Sequence, residues 1–213
     1  MPSVFYEIPF DRSKHVFHSL QFEEIIKDTI RFFNGTPVHK LPPPVRFTGT
    51  GVYALYYIGE SPYYKTLYEA NRLSFSQPIY VGKAVPCGWR QARTTKRDGR
   101  ETSELYRRLR EHTKSIKEVT NLLEDDFYCR FMILEGENAS LISTVEAALI
   151  REFKPIWNSC LDGFGNHTPG RGRFNQAKSD WDVLHPGRAW ASQCKGIHSD
   201  LLSVEKLVRA YFV

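Results

Sequence analysis

The segment from Asn138 to Pro155 constrains the fold of this chain more than any other. Its apolar residues recur at spacings of three and four, which predicts an amphipathic helix with one buried face. That face comprises Leu141, Val145, Ala148, Leu149 and Phe153. Asn138 is a suitable cap for the first turn, and Pro155 ends the helix because proline has no N–H to donate. Glu146 is a lone carboxylate in an apolar turn, where it is costly unless it binds a cation or forms a surface salt bridge.

Three β-branched or aromatic runs predict strands, at Gly51 to Ile58, Pro78 to Val81 and Phe127 to Leu134. The first two are expected to pair as an antiparallel hairpin. Their connection, Glu60 to Gln77, is unusually long and has the character of an insertion. Together with the helices, these strands predict an α+β fold in which a small three-stranded antiparallel sheet is flanked by helices.

Helical periodicity and capping residues predict three further helices, from Ser19 to Gly35, from a cap at Thr102 or Ser103 to about Val119, and from Ser199 to about Phe212. The prolines that follow Leu41 predict a stiff connector between the N-terminal part and the sheet. Residues 159 to 198 show no period and predict a long loop, which is uncommon in a compact domain unless it has a function.

Positive charge is concentrated between Lys83 and Lys117. This window has eleven Lys and Arg residues against four acidic ones, whereas the net charge of the whole chain is +5. Like charges at this density repel one another unless a polyanion lies among them. The window therefore predicts phosphate binding, and hence a nucleic acid partner, in preference to a merely solvated charged face.

The sequence also argues against some classes of protein. The four cysteines form no Cys-x-x-Cys pair, and no apolar stretch has the length of a membrane span, which predicts a reduced, cytosolic protein with no membrane partner. His15 and His18 are a close histidine pair, but no cysteine or second histidine pair accompanies them. A zinc site is therefore not expected there.

Arg108 and His112 are four residues apart in a predicted helix and therefore share one face. A guanidinium that binds a phosphate oxygen and an imidazole within reach of a tyrosine hydroxyl would form a coherent site for phosphodiester hydrolysis. Tyr53 and Tyr80 are the candidate tyrosines, although each could be an ordinary half-buried strand residue. A phenol is a poor base at neutral pH unless cations such as Lys83 lower its pKa.

The order of these features along the chain resembles that of the GIY-YIG nuclease family. The matching elements are Gly51-Val52-Tyr53, Ile79-Tyr80-Val81-Gly82, the Arg108/His112 pair, Glu146 and the closing Pro155-Ile156-Trp157-Asn158. The resemblance implies a single endonuclease domain over residues 1–213. Within it, residues 1–48 form an N-terminal arm and helix, 49–160 the catalytic core, and 161–213 a DNA-binding loop and C-terminal helix.

The resemblance further implies a catalytic site that comprises Tyr53, Tyr80, Lys83, Arg108, His112, Glu146 and Asn158. One Mg²⁺ or Mn²⁺ per active site would be bound by Glu146. Tyr53 would activate the attacking water and pass a proton toward His112, and Tyr80 would orient the phosphate or the water. The Asn158 carboxamide would tether the end of the Glu146 helix to the hairpin or contact the phosphate.

The second tyrosine motif has a rival in Tyr57-Ile58-Gly59. Only three residues separate Tyr57 from Tyr53, which places both on one strand, whereas the family has a hairpin turn between its two tyrosines. We therefore assign the second motif to Ile79-Tyr80-Val81-Gly82.

The length, the inserted connection and the Tyr-Val-Gly-Lys form of the second motif make the chain similar to Type II restriction endonucleases of this family that recognise CCGCGG. Double-stranded DNA, a homodimer acting on a palindrome, a bacterial cytoplasmic location, and a methyltransferase of the same system that is not a physical partner are then expected. The expected DNA-binding residues are Arg90, Arg93, Lys96, Arg97, Arg171, Arg173 and Arg188. A homing or repair nuclease and a non-catalytic DNA-binding protein are the alternatives.

Overall fold

An antiparallel sheet with helices on both faces organises the protein, as the sequence predicts. The computed structural model describes residues 10–86, 102–170 and 172–212. Its main elements, in chain order, are α1 (Leu20–Gly35), β1 (Val38–Lys40), β2 (Gly51–Tyr57), α2 (Lys65–Ser74), β3 (Tyr80–Ala84), α3 (Glu104–Glu118), β4 (Phe127–Ile133), α4 (Ile142–Phe153), α5 (Ile156–Ser159), α6 (Asp180–Leu184) and α7 (Leu201–Tyr211). Among the described residues, no helix is long and apolar enough to cross a bilayer.

The sheet contains one strand more than the three predicted. The strand order is β1-β4-β2-β3, and the added strand β1 pairs with β4 so that Val38 lies opposite Arg130. Three residues at a sheet edge are too few to show an alternating pattern, so this strand was not predicted within the segment 1–48, which was expected to be an N-terminal arm and helix.

Strand β2 is the central element for the site. All seven of its residues are buried because it has a neighbouring strand on each side and helices on both faces. Alternate side chains enter separate apolar clusters. Tyr53 and Tyr57 pack in the cluster that contains the buried residues of α3, whereas Val52 and Tyr56 pack in the cluster that contains those of α4.

Helix α4 begins later than predicted. Asn138 does not cap it, because a short 3₁₀ helix, Gly136–Leu141, precedes it and α4 begins at Ile142. The end agrees with the sequence. Lys154 adopts a left-handed conformation with φ 43°, its N–H bonds to the carbonyl of Ile150, and Pro155 follows and leads directly into α5.

The long connection between β2 and β3 contains a helix, α2, that the sequence analysis missed. Only Leu67 and Asn71 of α2 are buried, so the segment has no apolar stripe that would reveal a helix. Asn71 closes the connection. Its side-chain amide donates to the carbonyls of Tyr57 (3.1 Å) and Gln77 (2.8 Å), and its carbonyl oxygen accepts from the Gln77 N–H (2.9 Å).

The segment 159–198 is not the irregular loop that the sequence predicts. Its described part contains α6, and it contributes Phe164 and Trp181 to the apolar cluster around Tyr53. Helix α7 then packs Val204 and Val208 into the same cluster. The C-terminal part of the chain is therefore built onto the α3 face of the sheet, next to the residues of the candidate site.

Candidate active site

Tyr53 and His112 form a buried pair at the middle of the β2–β3 hairpin. Tyr53 lies opposite Gly82 in the register, and its Oη lies 2.6 Å from Nε2 of His112 on α3. Gly82 makes room for this hydroxyl, because a Cβ at that position would lie 2.5 Å from Tyr53 Oη. The glycine of the second motif is thus required by the tyrosine of the first.

Burial fixes the protonation states of this pair. Burial, and to a smaller extent the neighbouring Tyr80, raises the pKa of Tyr53 well above its ordinary value, although Arg108 acts in the opposite direction. Burial and the Arg108 charge lower the pKa of His112 to about 3. At neutral pH the pair is therefore a protonated phenol beside a neutral imidazole. The expected lowering of the tyrosine pKa by cations is outweighed by burial in the protein alone.

Tyr80 lies beside this pair on the edge strand β3. Its ring centroid is 5.1 Å from that of His112 and 6.3 Å from that of Tyr53. Burial raises its pKa to about 12, against the lowering effect of Arg108. The charge of Glu146 also raises the pKa of both Tyr53 and Tyr80, which places this carboxylate in the same electrostatic site.

Glu146 and Lys83 form an ion pair across the edge of the sheet. Glu146 Oε2 on α4 lies 2.6 Å from Lys83 Nζ on β3, and the two side chains are 18% and 36% exposed. Lys83 and Tyr80 are three residues apart on one strand and therefore lie on opposite faces of the sheet. The site thus wraps around strand β3, with the tyrosines on the α3 face and the carboxylate on the α4 face.

This donor set fits a hard divalent cation. The described residues contain no group of three or more His, Cys, Asp or Glu side chains that could hold a metal. Glu146 is a partly exposed carboxylate oxygen donor beside the tyrosines. Mg²⁺ is commonly held by one or two carboxylates, with water and substrate phosphates as the other ligands, so a single glutamate is compatible with such a site.

Arg108 on α3 acts on the tyrosine cluster, since its charge lowers the pKa of both Tyr53 and Tyr80. Its Nη1 donates to Oε2 of Glu111 at 3.1 Å and to Nε2 of His167, a residue that the sequence analysis did not single out. The neighbouring Arg107 pairs with Glu104 and Glu111 and is more exposed than Arg108. No sequence signal marks His167, because it belongs to a segment without periodicity.

Asn158 ties α5 to the edge strand. Its Oδ1 accepts from the Val81 N–H at 2.8 Å, and its Nδ2 donates to the Val81 carbonyl at 2.9 Å. Of the two roles expected from the sequence, the structure places the carboxamide in the tethering one. The tether fixes the strand segment between Tyr80 and Lys83.

Tyr57 lies in the apolar core and not in the site. It is buried, its Oη accepts from the Ser61 N–H at 3.0 Å, and its ring packs against Phe127 at 5.1 Å. Tyr57-Ile58-Gly59 is therefore part of the core, and β3, which contains Tyr80, is one of the two strands that pair with β2.

The residues expected to bind DNA have different outcomes. Five of them, Arg90, Arg93, Lys96, Arg97 and Arg171, lie outside the described residues. Arg173 is exposed. The prediction for Arg188 is corrected: the side chain is buried, its Nε and Nη2 each bond Asp182 at 2.7 Å, and its remaining N–H groups donate to backbone carbonyls. An arginine with all five donors engaged has none left for a guanine.

Replacing Arg188 with methionine is expected to lower the free energy of unfolding by about 3–5 kcal/mol, because it leaves the buried Asp182 carboxylate without its partner. Urea unfolding measures this loss. Arg173→Met is the matched control, expected to change the free energy of unfolding by less than about 0.5 kcal/mol because Arg173 is exposed. Equal stability of the two variants would show that Arg188 has no structural role.

A second buried tyrosine–histidine pair lies deeper in the core. Tyr64 Oη is 2.6 Å from Nε2 of His185, accepts from Trp157 Nε1 at 2.9 Å, and is fully buried. Nδ1 of His185 lies 2.8 Å from Oδ1 of Asn121. Burial lowers the pKa of His185 to about 3. This network joins the C-terminal part to the core and is separate from the tyrosines of the site.

The two buried histidines lead us to expect acid sensitivity. Below the ordinary histidine pKa of about 6.5, the unfolded chain takes up protons that folded His112 and His185 do not accept until about pH 3. The free energy of unfolding should therefore fall in this window, by about 1.4 kcal/mol per pH unit for each histidine. Urea unfolding at several pH values measures the slope.

The histidine variants separate this effect from general acid denaturation. His185→Gln should reduce the slope by the contribution of one histidine, and replacement of the exposed His198 is the control for the loss of a histidine as such. A slope in His185→Gln equal to that of the unmodified protein would rule out this source of the pH dependence.

Comparison with known proteins agrees with this geometry. The model of the Eco29kI GIY-YIG domain, which represents a restriction endonuclease family, matches residues 45–212. The matched region contains β2, β3, α3, α4 and the C-terminal part up to α7. A search of curated proteins found no match.

Proposed function

This chain belongs to the Eco29kI GIY-YIG domain family of restriction endonucleases, and on that premise we propose that it is a Type II enzyme that cuts both strands of a short palindromic DNA site. The observation that carries the proposal is the Tyr53–His112 pair at 2.6 Å, with Tyr80, Arg108 and the Glu146 charge around it. Phosphodiester hydrolysis needs a proton acceptor for water and positive charge near the phosphate, and this site offers both.

Tyr53 relays a proton and does not act as a free phenolate. Its raised pKa excludes a significant phenolate population at neutral pH, so the hydroxyl takes the proton of the attacking water as it gives its own proton to Nε2 of His112. His112 is a weak base in the protein alone because of burial. A bound phosphate adds negative charge nearby, which favours the imidazolium and raises the His112 pKa toward a useful value.

The other side chains hold the substrate. Arg108 donates to a non-bridging phosphate oxygen, and Tyr80 orients the phosphate or the water from the edge strand. Glu146 holds one Mg²⁺ or Mn²⁺, and Lys83 keeps the carboxylate in place across the strand. When bound, the cation supplies Lewis-acid stabilisation of the charge that develops on the phosphate.

The recognised site is proposed to be CCGCGG, and the active form a homodimer. Each chain brings one Tyr53–His112–Glu146 constellation in its described part, and the two strands of a palindrome are related by a twofold axis. A symmetric pair of chains places one such site on each strand. A DNA methyltransferase of the same system then protects the host DNA without binding this protein.

Two plasmids that differ only in the presence of a single CCGCGG site test the proposed recognition sequence and the proposed homodimer together. The plasmid with the site should be converted to linear DNA, and sequencing should show one cut position related by the twofold axis of the palindrome. The plasmid without the site should stay uncut at the same enzyme concentration. Cleavage at unrelated positions on both plasmids would contradict the proposed specificity, and persistent nicking of one strand would contradict the dimer.

Alanine at Arg173 should reduce discrimination between cognate and scrambled duplexes by about 1–3 kcal/mol if this exposed arginine contacts a guanine, and the same holds for Arg171. Alanine at Lys96 or Arg97 should weaken binding to both duplexes alike and reduce the salt dependence by about one charge. A salt titration on the two duplexes separates these effects. A uniform, salt-sensitive loss for Arg173→Ala would make it a phosphate contact.

A further inference from the structure

The segment 163–167 lies against the candidate site, although the sequence analysis assigned it no role there. The ring of Phe164 stacks on His112, with centroids 4.7 Å apart and planes at 18°, and meets Tyr80 edge-on at 5.0 Å. Gly165 approaches Tyr80 so closely that a Cβ would lie 2.9 Å from its Oη. This segment therefore covers the imidazole and one tyrosine of the site.

His167 extends the same segment to Arg108. Its Nε2 accepts a hydrogen bond from Nη1 of Arg108, so the imidazole nitrogen acts as a neutral acceptor for the guanidinium. Glu111 meets the same Nη1 at 3.1 Å. Within the described part of the chain, Arg108 donates to both of these partners through Nη1, which leaves its Nε and Nη2 groups to donate to a phosphate.

Arg188 anchors the segment 163–167 through hydrogen bonds to its backbone carbonyls. The buried guanidinium donates to the carbonyls of Gly163 (2.9 Å), Phe164 (3.1 Å) and Asn166 (3.2 Å), and its other donors bond Asp182. It also lies over the rings of Trp181 and Trp190, 4.5 and 4.7 Å from their centroids. These three hydrogen bonds, to the carbonyls of residues 163, 164 and 166, restrict the backbone just before His167, so its position is set by the core.

We propose that His167 is a positioning residue of the catalytic site: it accepts from Arg108 and orients that guanidinium toward the scissile phosphate, while the buried Asp182–Arg188 pair fixes the segment that carries it. The inference deepens the proposed nuclease function and rests on it. The His167 side chain is 60% exposed and contributes little to the core. Its polar contacts within the described ranges include the hydrogen bond from Arg108 Nη1 and a 3.9 Å approach to Oε2 of Glu111. Removing this contact with Arg108 should therefore affect DNA cleavage more than stability.

Two variants of His167 separate the loss of its hydrogen-bond acceptor from a change in side-chain size. His167→Leu removes the acceptor, and single-turnover cleavage at saturating DNA should fall about 10- to 100-fold while the DNA dissociation constant changes little. His167→Gln places an amide oxygen close to the position of Nε2 and should restore most of the rate. His198→Leu, at an exposed histidine far along the chain, is the matched control and should cleave as the unmodified protein does.

A double-mutant cycle with Arg108→Lys tests whether His167 acts through Arg108. In that background, His167→Leu should cause little further loss, because the guanidinium that His167 orients is already gone. Three results would each overturn the inference: full activity of His167→Leu, equal loss in the Leu and Gln variants, or an undiminished loss on top of Arg108→Lys. Absence of cleavage by the unmodified protein would instead reject the proposed function, so the two failures are distinguishable.

Discussion

Replacing Glu146 with glutamine is expected to lower DNA cleavage by at least about 1000-fold, because the several kcal/mol supplied by a cation at the phosphate are lost with its carboxylate ligand. DNA binding should stay the same or become tighter. The substitution removes a negative charge near the phosphate and frees the Lys83 ammonium, which otherwise pairs with Glu146 at 2.6 Å.

Cleavage and binding must be measured together on the same duplex. Glu152→Gln is the matched control, since Glu152 is on the same helix but exposed, and it should cleave as the unmodified protein does. A parallel loss of binding and cleavage in Glu146→Gln would show that Glu146 has a structural role. Retained cleavage would remove the carboxylate from the mechanism.

Tyr53→Phe is expected to lower the cleavage rate by about 100- to 10,000-fold, the usual contribution of a positioned proton-transfer group. The substitution removes the hydroxyl that lies 2.6 Å from His112 and breaks the path from the attacking water to the imidazole. The fold should persist, because the ring keeps its packing and one buried hydrogen bond contributes only about 1 kcal/mol.

Tyr57→Phe is the control for this prediction, because it removes a hydroxyl from the same strand and the same face of the sheet. The Tyr57 hydroxyl bonds Ser61, just beyond the end of the strand, so its loss should affect stability slightly and cleavage hardly at all. Single-turnover cleavage and urea unfolding of both variants provide the comparison. Equal cleavage by the two variants would contradict the relay through Tyr53.

The elements that carry the site could be predicted because their signals are local. Strand β2 is a continuous buried run, α4 has an apolar stripe with a proline beyond its end, and the spacing of Arg108 and His112 places them on one helical face. The choice of Tyr80 over Tyr57 as the second motif tyrosine rested on strand length alone, because Tyr57 is too near Tyr53 to lie on a second strand. The Tyr53–His112 contact joins residues 59 positions apart, and the order of motifs rather than any local pattern indicated it.

Other features depend on contacts that no local pattern reports. Arg188 has the sequence context of an exposed loop arginine, yet a partner six residues away and three backbone carbonyls draw it into the core. His167 contacts Arg108 from a segment whose backbone carbonyls accept hydrogen bonds from that buried arginine. The short strand β1 exists because β4 offers it an open edge, and its own three residues contain no signal.

We propose that Glu146 and the Tyr53–His112 pair form a metal-dependent DNA-cleaving site. The most direct test is to incubate supercoiled plasmid carrying CCGCGG with the purified protein in Mg²⁺ and, in parallel, in excess chelator. We expect complete conversion to linear DNA with Mg²⁺, intact plasmid with chelator, and recovery of cleavage when Mg²⁺ is restored. Cleavage that persists at the same rate in chelator, or no cleavage with any divalent cation, would contradict this proposal.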